Sequence, residues 1–304
     1  VSNSDHPGLS EHAKGLLIVA TGVLILTPDA LLLRLIEADP WTLLFWRGIG
    51  FFSVQMTVSA CRHGGCLWRV IRATGWIGVA IMALHGVTQL LFVYSINHTL
   101  VANTLVIIAA SPLAAALLAW LLLGERTPPR TLIAGGVALA AVALTVGGGY
   151  ATGGLAGDLA ALALMLVMAL IFVLLRKAKA RNMLPAVALS GLVTAALALP
   201  FAPTLAVTGN DLIYLPILVG LVVPISFILI SSGPRYLPAP EVGLLMLVET
   251  VLGPLWVWFA FAEEPTGASL VGGGIIILAL GIHSWIGLRA ERRRRRPPAA
   301  VQPA

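Results

Sequence analysis

Apolar runs of about twenty residues follow one another along the whole 304-residue chain, parted only by charges, Gly/Pro clusters and short polar turns. Twenty helical residues cover about 30 Å, the thickness of a bilayer's hydrocarbon core, and within that core only a helix or a closed barrel satisfies its own backbone hydrogen bonds. The chain is therefore expected to be an all-α membrane protein. Composition points the same way: 59% of the residues are hydrophobic and 11% charged, where a soluble domain carries about 25% charged. The mean hydropathy is +0.96, and no sizeable soluble domain fits beside the spans.

Breaking the runs at their punctuation predicts ten transmembrane helices, over residues 15–34, 41–60, 75–95, 99–123, 130–147, 156–175, 185–201, 212–231, 239–261 and 267–288. Short connections make successive helices antiparallel neighbours. Under that map 17 of the 19 Lys and Arg fall on one side, from Lys14 to the Arg292–Arg296 run. Retained positive charge marks the cytoplasm, so both termini are expected there, in a multi-pass protein of the bacterial inner membrane. The net charge of +6 is thereby assigned to topology and to the lipid bilayer, not to nucleic acid. Residues 1–14 form a polar segment before the first helix, which is read as uncleaved, and residues 289–304 form a basic tail. Cys61 and Cys66, with His63 between them, supply too few ligands for a zinc site, and no metal or cofactor is expected.

The second half echoes the first. Residues 15–34 lie over 157–176, each opening on Gly and closing on Leu-Leu-Arg, and 105–127 lie over 244–266, aligning Glu125 with Glu264 and Thr127 with Thr266. Five helices per repeat is an odd number, so the two repeats, 15–147 and 156–288, are expected to enter the membrane in opposite directions, the plan of many secondary transporters. The FWRG stretch in the second helix, the SPL and GERT flanking the fourth, and GDLAAL opening the second half resemble the EamA domains of the drug/metabolite transporter superfamily. Within it the chain is most similar to the YddG type of bacterial aromatic amino acid exporter. That resemblance implies a central cavity lined by helices 1, 3, 4, 6, 8 and 9.

Ionisable side chains inside a bilayer are costly, so each one is a candidate for function. His85 and Glu249 each lie ten residues into a helix, about 15 Å from its start and near the midplane. His85 shares a helix face with Gln89; Glu249 shares a stripe with Trp256, as Thr104 does with Ser111. A carboxylate and an indole on one stripe suit the ammonium and the ring of an amino acid. Glu249, Trp256, His85, Gln89, Thr104 and Ser111 are thus the expected substrate contacts, with His85 and Gln89 offering hydrogen bonds to the substrate carboxylate. The competing readings are that His85 and Gln89 join helices by hydrogen bonds and that Glu249 is a protonated packing residue.

Asp29 and Arg47 fall at matching depth on adjacent antiparallel helices, about 8 to 10 Å from the outer ends, and are expected to pair as a structural latch. The aligned positions, Ile171 and a leucine near 192, carry no charge. Pro28, Pro112, Pro224 and Pro254 fall inside helices 1, 4, 8 and 9 and are candidate hinges, because a helical proline leaves a carbonyl unpaired and bends the axis.

The sequence has no G-x-x-x-x-G-K-[ST], no G-x-S-x-G and no H-E-x-x-H, which argues against ATP hydrolysis and against the corresponding hydrolases. The expected function is a secondary transporter, acting as a monomer by alternating access. It would export small amphipathic metabolites, aromatic and other neutral amino acids first, with protons as a coupling ion that Glu249 could take. Two alternatives stay open: an intramembrane enzyme using His85 and Glu249 as acid and base, and an exporter of another metabolite or drug class.

Overall fold

The structure, a computed structural model, describes residues 10–99, 104, 107–146, 154–261 and 267–295. Residues 1–9, Glu264, Thr266 and the tail from Arg296 onward lie outside the described residues. Among those described there are helices and no strand. The helices are α1 (Glu11–Leu26), α2 (Asp29–Leu35), α3 (Pro40–His63), α4 (Leu67–Ala73), α5 (Gly75–His98), α6 (Ser111–Leu123), α7 (Pro129–Val146), α8 (Leu155–Lys177), α9 (Leu184–Ala198), α10 (Asp211–Ile217), α11 (Val223–Ser232), α12 (Ala239–Phe261) and α13 (Gly267–Arg295). Six helical runs are long and apolar enough to cross a membrane.

Polarity is turned inside out relative to a soluble domain. Val79, Leu121, Ile133, Leu159, Ile213 and Leu278 are each more than half exposed. Gln55, Ser59, Ser95, Thr104, Ser190 and Ser226 are instead fully buried. An apolar exterior of that extent is a surface for lipid, and among the buried hydroxyls Ser95 ties helix to helix through Thr104 and the Gly157 carbonyl.

Links between helix ends sort into two faces. On one, Arg176 Nε donates to Glu125 Oε1 at 3.1 Å, Arg235 to the Arg181 carbonyl at 3.0 Å, and Asn182 meets His63 at 3.2 Å. On the other, the Glu37 amide donates to Asp211 at 3.0 Å, the Trp46 indole to the Leu205 carbonyl at 3.1 Å, and Thr99 to Asp158 at 2.6 Å. The first face holds the arginines; we call it the basic face.

Packing between helices repeats when the halves are exchanged. α3 lies on α9 and α7 on α13; α5 lies on α8 as α1 lies on α11, and α6 on α8 as α12 lies on α1 and α2. The α3–α9 crossing is made by two glycines. A Cβ on Gly48 would come within 2.5 Å of the Gly191 carbonyl oxygen, and one on Gly191 would strike the Gly48 oxygen. Small residues let backbones approach this closely.

Several boundaries differ from the sequence expectation, each for a local reason. The first span breaks between α1 and α2, because Pro28 has no N–H to continue the ladder and Thr27 turns its hydroxyl back to the Leu24 carbonyl at 2.8 Å. The fourth turns at Ala110, two residues before Pro112, and α6 ends on Gly124, whose φ of 67° suits glycine. Between α10 and α11 the eighth span contains a π-helical turn, Leu218–Val222, placed between Pro216, inside α10, and Pro224. Such turns absorb the carbonyls that prolines orphan. The segment after α3, expected to be a loop, forms the short helix α4, and α13 continues to Arg295 instead of ending near 288. α12 runs through Pro254 without a break, and only the backbone of that proline is described.

Candidate functional site

The break at Thr27–Pro28 gathers polar side chains from two other helices. α3 begins where Asp39 caps it, accepting from the Trp41 amide at 2.9 Å, with Pro40 at the first position. That start places Arg47 two turns into the bundle. Its guanidinium grips Asp29 with two parallel hydrogen bonds, Nη1 to Oδ1 at 3.0 Å and Nη2 to Oδ2 at 3.2 Å. Both side chains are largely buried, so the two-pronged geometry is what compensates their desolvation. The Arg47 Nε is buried and has no hydrogen-bond partner among the described residues. Two residues before Asp29, Thr27 Oγ1 accepts the indole N–H of Trp256 at 2.9 Å.

Glu249 lies within electrostatic range of both Asp29 and Arg47. It is half-buried on α12, and no hydrogen bond or ion pair to it occurs among the described residues. Trp256 stands two turns further along the same helix and remains 44% exposed. Its ring face is open while its N–H is committed to Thr27.

His85 has a different setting. Its ring stacks on Phe51 with centroids 5.5 Å apart and meets Phe227 edge-on at 5.4 Å, with Nδ1 3.3 Å from Ser190 Oγ. Ser190 Oγ also lies 2.6 Å from the Val187 carbonyl, so its single proton goes either there, with His85 donating from Nδ1, or to Nδ1 itself. Gln89, one turn on, is half-buried and has no hydrogen bond among the described residues.

Thr104 and Ser111 are not alike. Ser95 donates to the Gly157 carbonyl at 3.0 Å, so the 2.7 Å contact between Ser95 and Thr104 takes the threonine's proton. Ser95 therefore joins three helical segments, and fully buried Thr104 keeps its oxygen as an acceptor. Ser111 is buried at the first position of α6, beside Pro112. The structure thus brings together Asp29, Arg47, Thr27, Trp256 and Glu249, while His85 and Glu249 share no hydrogen bond.

Sequence reasoning missed Phe51, Phe227 and Ser190. Phe227 stands in the second half at the same offset from His85 as Gly157 from Gly15, a signal the alignment contained. It also missed the partners of Glu241. This carboxylate, 3% exposed in the first turn of α12, has His12 at 3.6 Å, His283 at 3.7 Å and Arg130 at 3.9 Å. All three distances exceed a hydrogen bond, and Arg130 is the fixed cation of the cluster. Among the described residues no group of three or more His, Cys, Asp or Glu is placed to hold a metal.

A family model described as the EamA-like transporter family matches residues 13–147 and again 155–285. No curated protein matches the chain. A solved structure described only as the crystal structure of a protein superposes with a TM-score of 0.79, at 22% sequence identity, over 90% of this chain and 99% of that one. At that identity the likeness speaks for the fold alone.

Proposed function

The chain belongs to the EamA-like transporter family, whose members are membrane transporters of small metabolites, and from that premise we propose that it is a secondary transporter exporting neutral amino acids, aromatic ones foremost. Its ten membrane helices would form two inverted five-helix repeats, in the manner of the bacterial aromatic amino acid exporters. The alternation of helix ends between two faces and the self-mapping helix pairs support the repeat plan. Both termini would be on the cytoplasmic side of a bacterial inner membrane, where the basic face belongs.

The observation that carries the substrate reading is Glu249, a carboxylate at mid-depth with no hydrogen-bond partner among the described residues. Such a group avoids its desolvation cost by taking a proton or a cation. A substrate ammonium is that cation, and a proton replaces it on the return step. The open ring of Trp256 packs on the substrate side chain, Gln89 offers its amide, and the spare Nε of Arg47 is a donor for the substrate carboxylate. Asp29, spent on Arg47, holds that guanidinium in place.

The test is transport in liposomes containing only this protein, with phenylalanine and with leucine. Glu249→Gln should depress both substrates alike. Trp256→Ala should cost phenylalanine more, by up to roughly tenfold, the worth of one ring contact. Wild-type rates and unchanged preference in both well-folded variants would place the substrate away from α12.

A further inference from the structure

Arginines on the basic face fall into two groups. Arg176 is neutralised by Glu125 at 3.1 Å, and Arg130 faces Glu241 at 3.9 Å. Arg62, Arg181 and Arg235 instead line one cavity of about 60 Å³ to which no Asp or Glu contributes. Arg62 comes from the last turn of α3, Arg181 from the turn between α8 and α9, and Arg235 from the end of α11. Arg235 is fixed by the Arg181 carbonyl at 3.0 Å and the Asn182 side-chain oxygen at 3.3 Å. Neither contact brings a negative charge. Among the described residues the guanidinium groups of Arg62 and Arg181 have no hydrogen bond or ion pair.

A helix C-terminus attracts a cation, which accounts for Arg62 and Arg235 one at a time. It does not account for Arg181, nor for three arginines lining one cavity to which no carboxylate contributes. Like charges brought together repel unless an anion lies between. From this contrast we infer that the cavity is a binding site for a phosphate group, with Arg62 and Arg181 as its free guanidinium donors and Arg235 as the positioned third charge. The volume is several times the about 10 to 15 Å³ that one water needs, room for a phosphate group and not for a whole lipid. Leu175 and Ile228 give it an apolar wall.

Its position fits the headgroup layer of a membrane. Trp68 and Trp76 are exposed indoles on this face, at 62% and 66%. Arg72 lies 5.1 Å from the first ring and Lys177 5.9 Å from the second. Indoles flanked by cations sit at the membrane–water interface, and basic pockets between helices at that level take anionic headgroups. The same chemistry would hold free inorganic phosphate, so both sources are tested.

Delipidated full-length protein in phosphatidylcholine nanodiscs is titrated with cardiolipin, and the bound lipid is counted by native mass spectrometry. At about 1 kcal/mol for each arginine, R62Q/R181Q should weaken cardiolipin binding about thirtyfold. R69Q/R72Q removes two exposed charges of α4 outside the cavity and should change it by less than about threefold, such charges being screened. Inorganic phosphate that displaces the cardiolipin, and raises the melting temperature of wild type but not of R62Q/R181Q, assigns the site to free phosphate. Cardiolipin binding that phosphate leaves intact assigns it to the headgroup. Equal losses in the two double variants, or no difference between wild type and R62Q/R181Q with either probe, overturn the site. Should R62Q/R181Q fold poorly, R62Q alone, at an exposed side chain, carries the same comparison with an expected loss of about fivefold.

Discussion

Two helical stretches that the sequence lays over each other have become different objects. Residues 15–34 and 157–176 both open on Gly and close on Leu-Leu-Arg. The second is part of α8, 23 residues without a break, and at the middle of its buried face it carries Ala169, Leu170 and Ile171. The first carries Thr27, Pro28 and Asp29 at those positions and divides into α1 and α2. At the break the first copy presents a hydroxyl and a carboxylate, Thr27 and Asp29, on which Trp256 and Arg47 dock, whereas the unbroken copy is buried in apolar contacts. Of these two helices, the first therefore carries one half of an ion pair and the second a packing face.

The largest effect expected from forcing the copies to agree comes from Ile171→Asp. A carboxylate placed there enters the apolar cluster with no arginine to meet it, and should destabilise by more than about 4 kcal/mol or abolish folding. Thermal unfolding in detergent would show it, and tolerance of the aspartate would mean that water reaches α8. Next comes the pair itself. Asp29→Asn or Arg47→Gln alone should cost about 3 to 5 kcal/mol by stranding a buried charge, and the double change should recover part of the loss. Additive losses would mean that the two charges are not energetically coupled.

A smaller effect belongs to Thr27→Val, which keeps the shape and leaves the Trp256 N–H without its acceptor. The expected loss is about 1 kcal/mol, read as a lower melting temperature, and Trp256→Phe in the Thr27→Val background should cost less than it does alone. The smallest is Ser190→Ala. It removes the hydroxyl beside His85 Nδ1, so a nitrogen-15 spectrum of His85 should show a changed ratio of tautomers while stability changes by about 1 kcal/mol or less.

Most of the fold was legible because apolar length and charge placement are written locally. The runs between charges gave the spans, and the arginines gave the faces. The breaks were harder: Pro28 and Pro112 interrupt their helices, while α12 passes through Pro254, and nothing local tells these cases apart. The Asp29–Arg47 contact could be anticipated from depth alone, since two opposite charges at one level in lipid have few other solutions. The ring cluster of Phe51, His85 and Phe227 was harder to read, because three separate helices deliver it and the repeat offset from His85 to Phe227 is its one trace in the sequence. The contact of Thr104 was equally hidden, its buried partner Ser95 lying on another helix. The one-residue register between α3 and α9 was also hidden. The mutual approach of Gly48 and Gly191 sets Ser190, not a leucine, at the place of Arg47, so the two repeats meet the bundle's interior with a guanidinium on one side and a hydroxyl on the other.

That glycine crossing has a mechanical meaning. Side chains that interdigitate lock two helices at one angle, as ridges lock into grooves, and such locking is least where backbone meets backbone. The Gly48–Gly191 contact is thus the place where a change of angle between α3 and α9 would disturb the fewest side chains. In any rocking of one half against the other, the neighbourhood of Gly48 and Gly191 is the still point, and displacement grows with distance from it toward both faces. Spin labels set one helical turn from this crossing should hold a constant separation through the transport cycle, while labels at the ends of the same two helices should not.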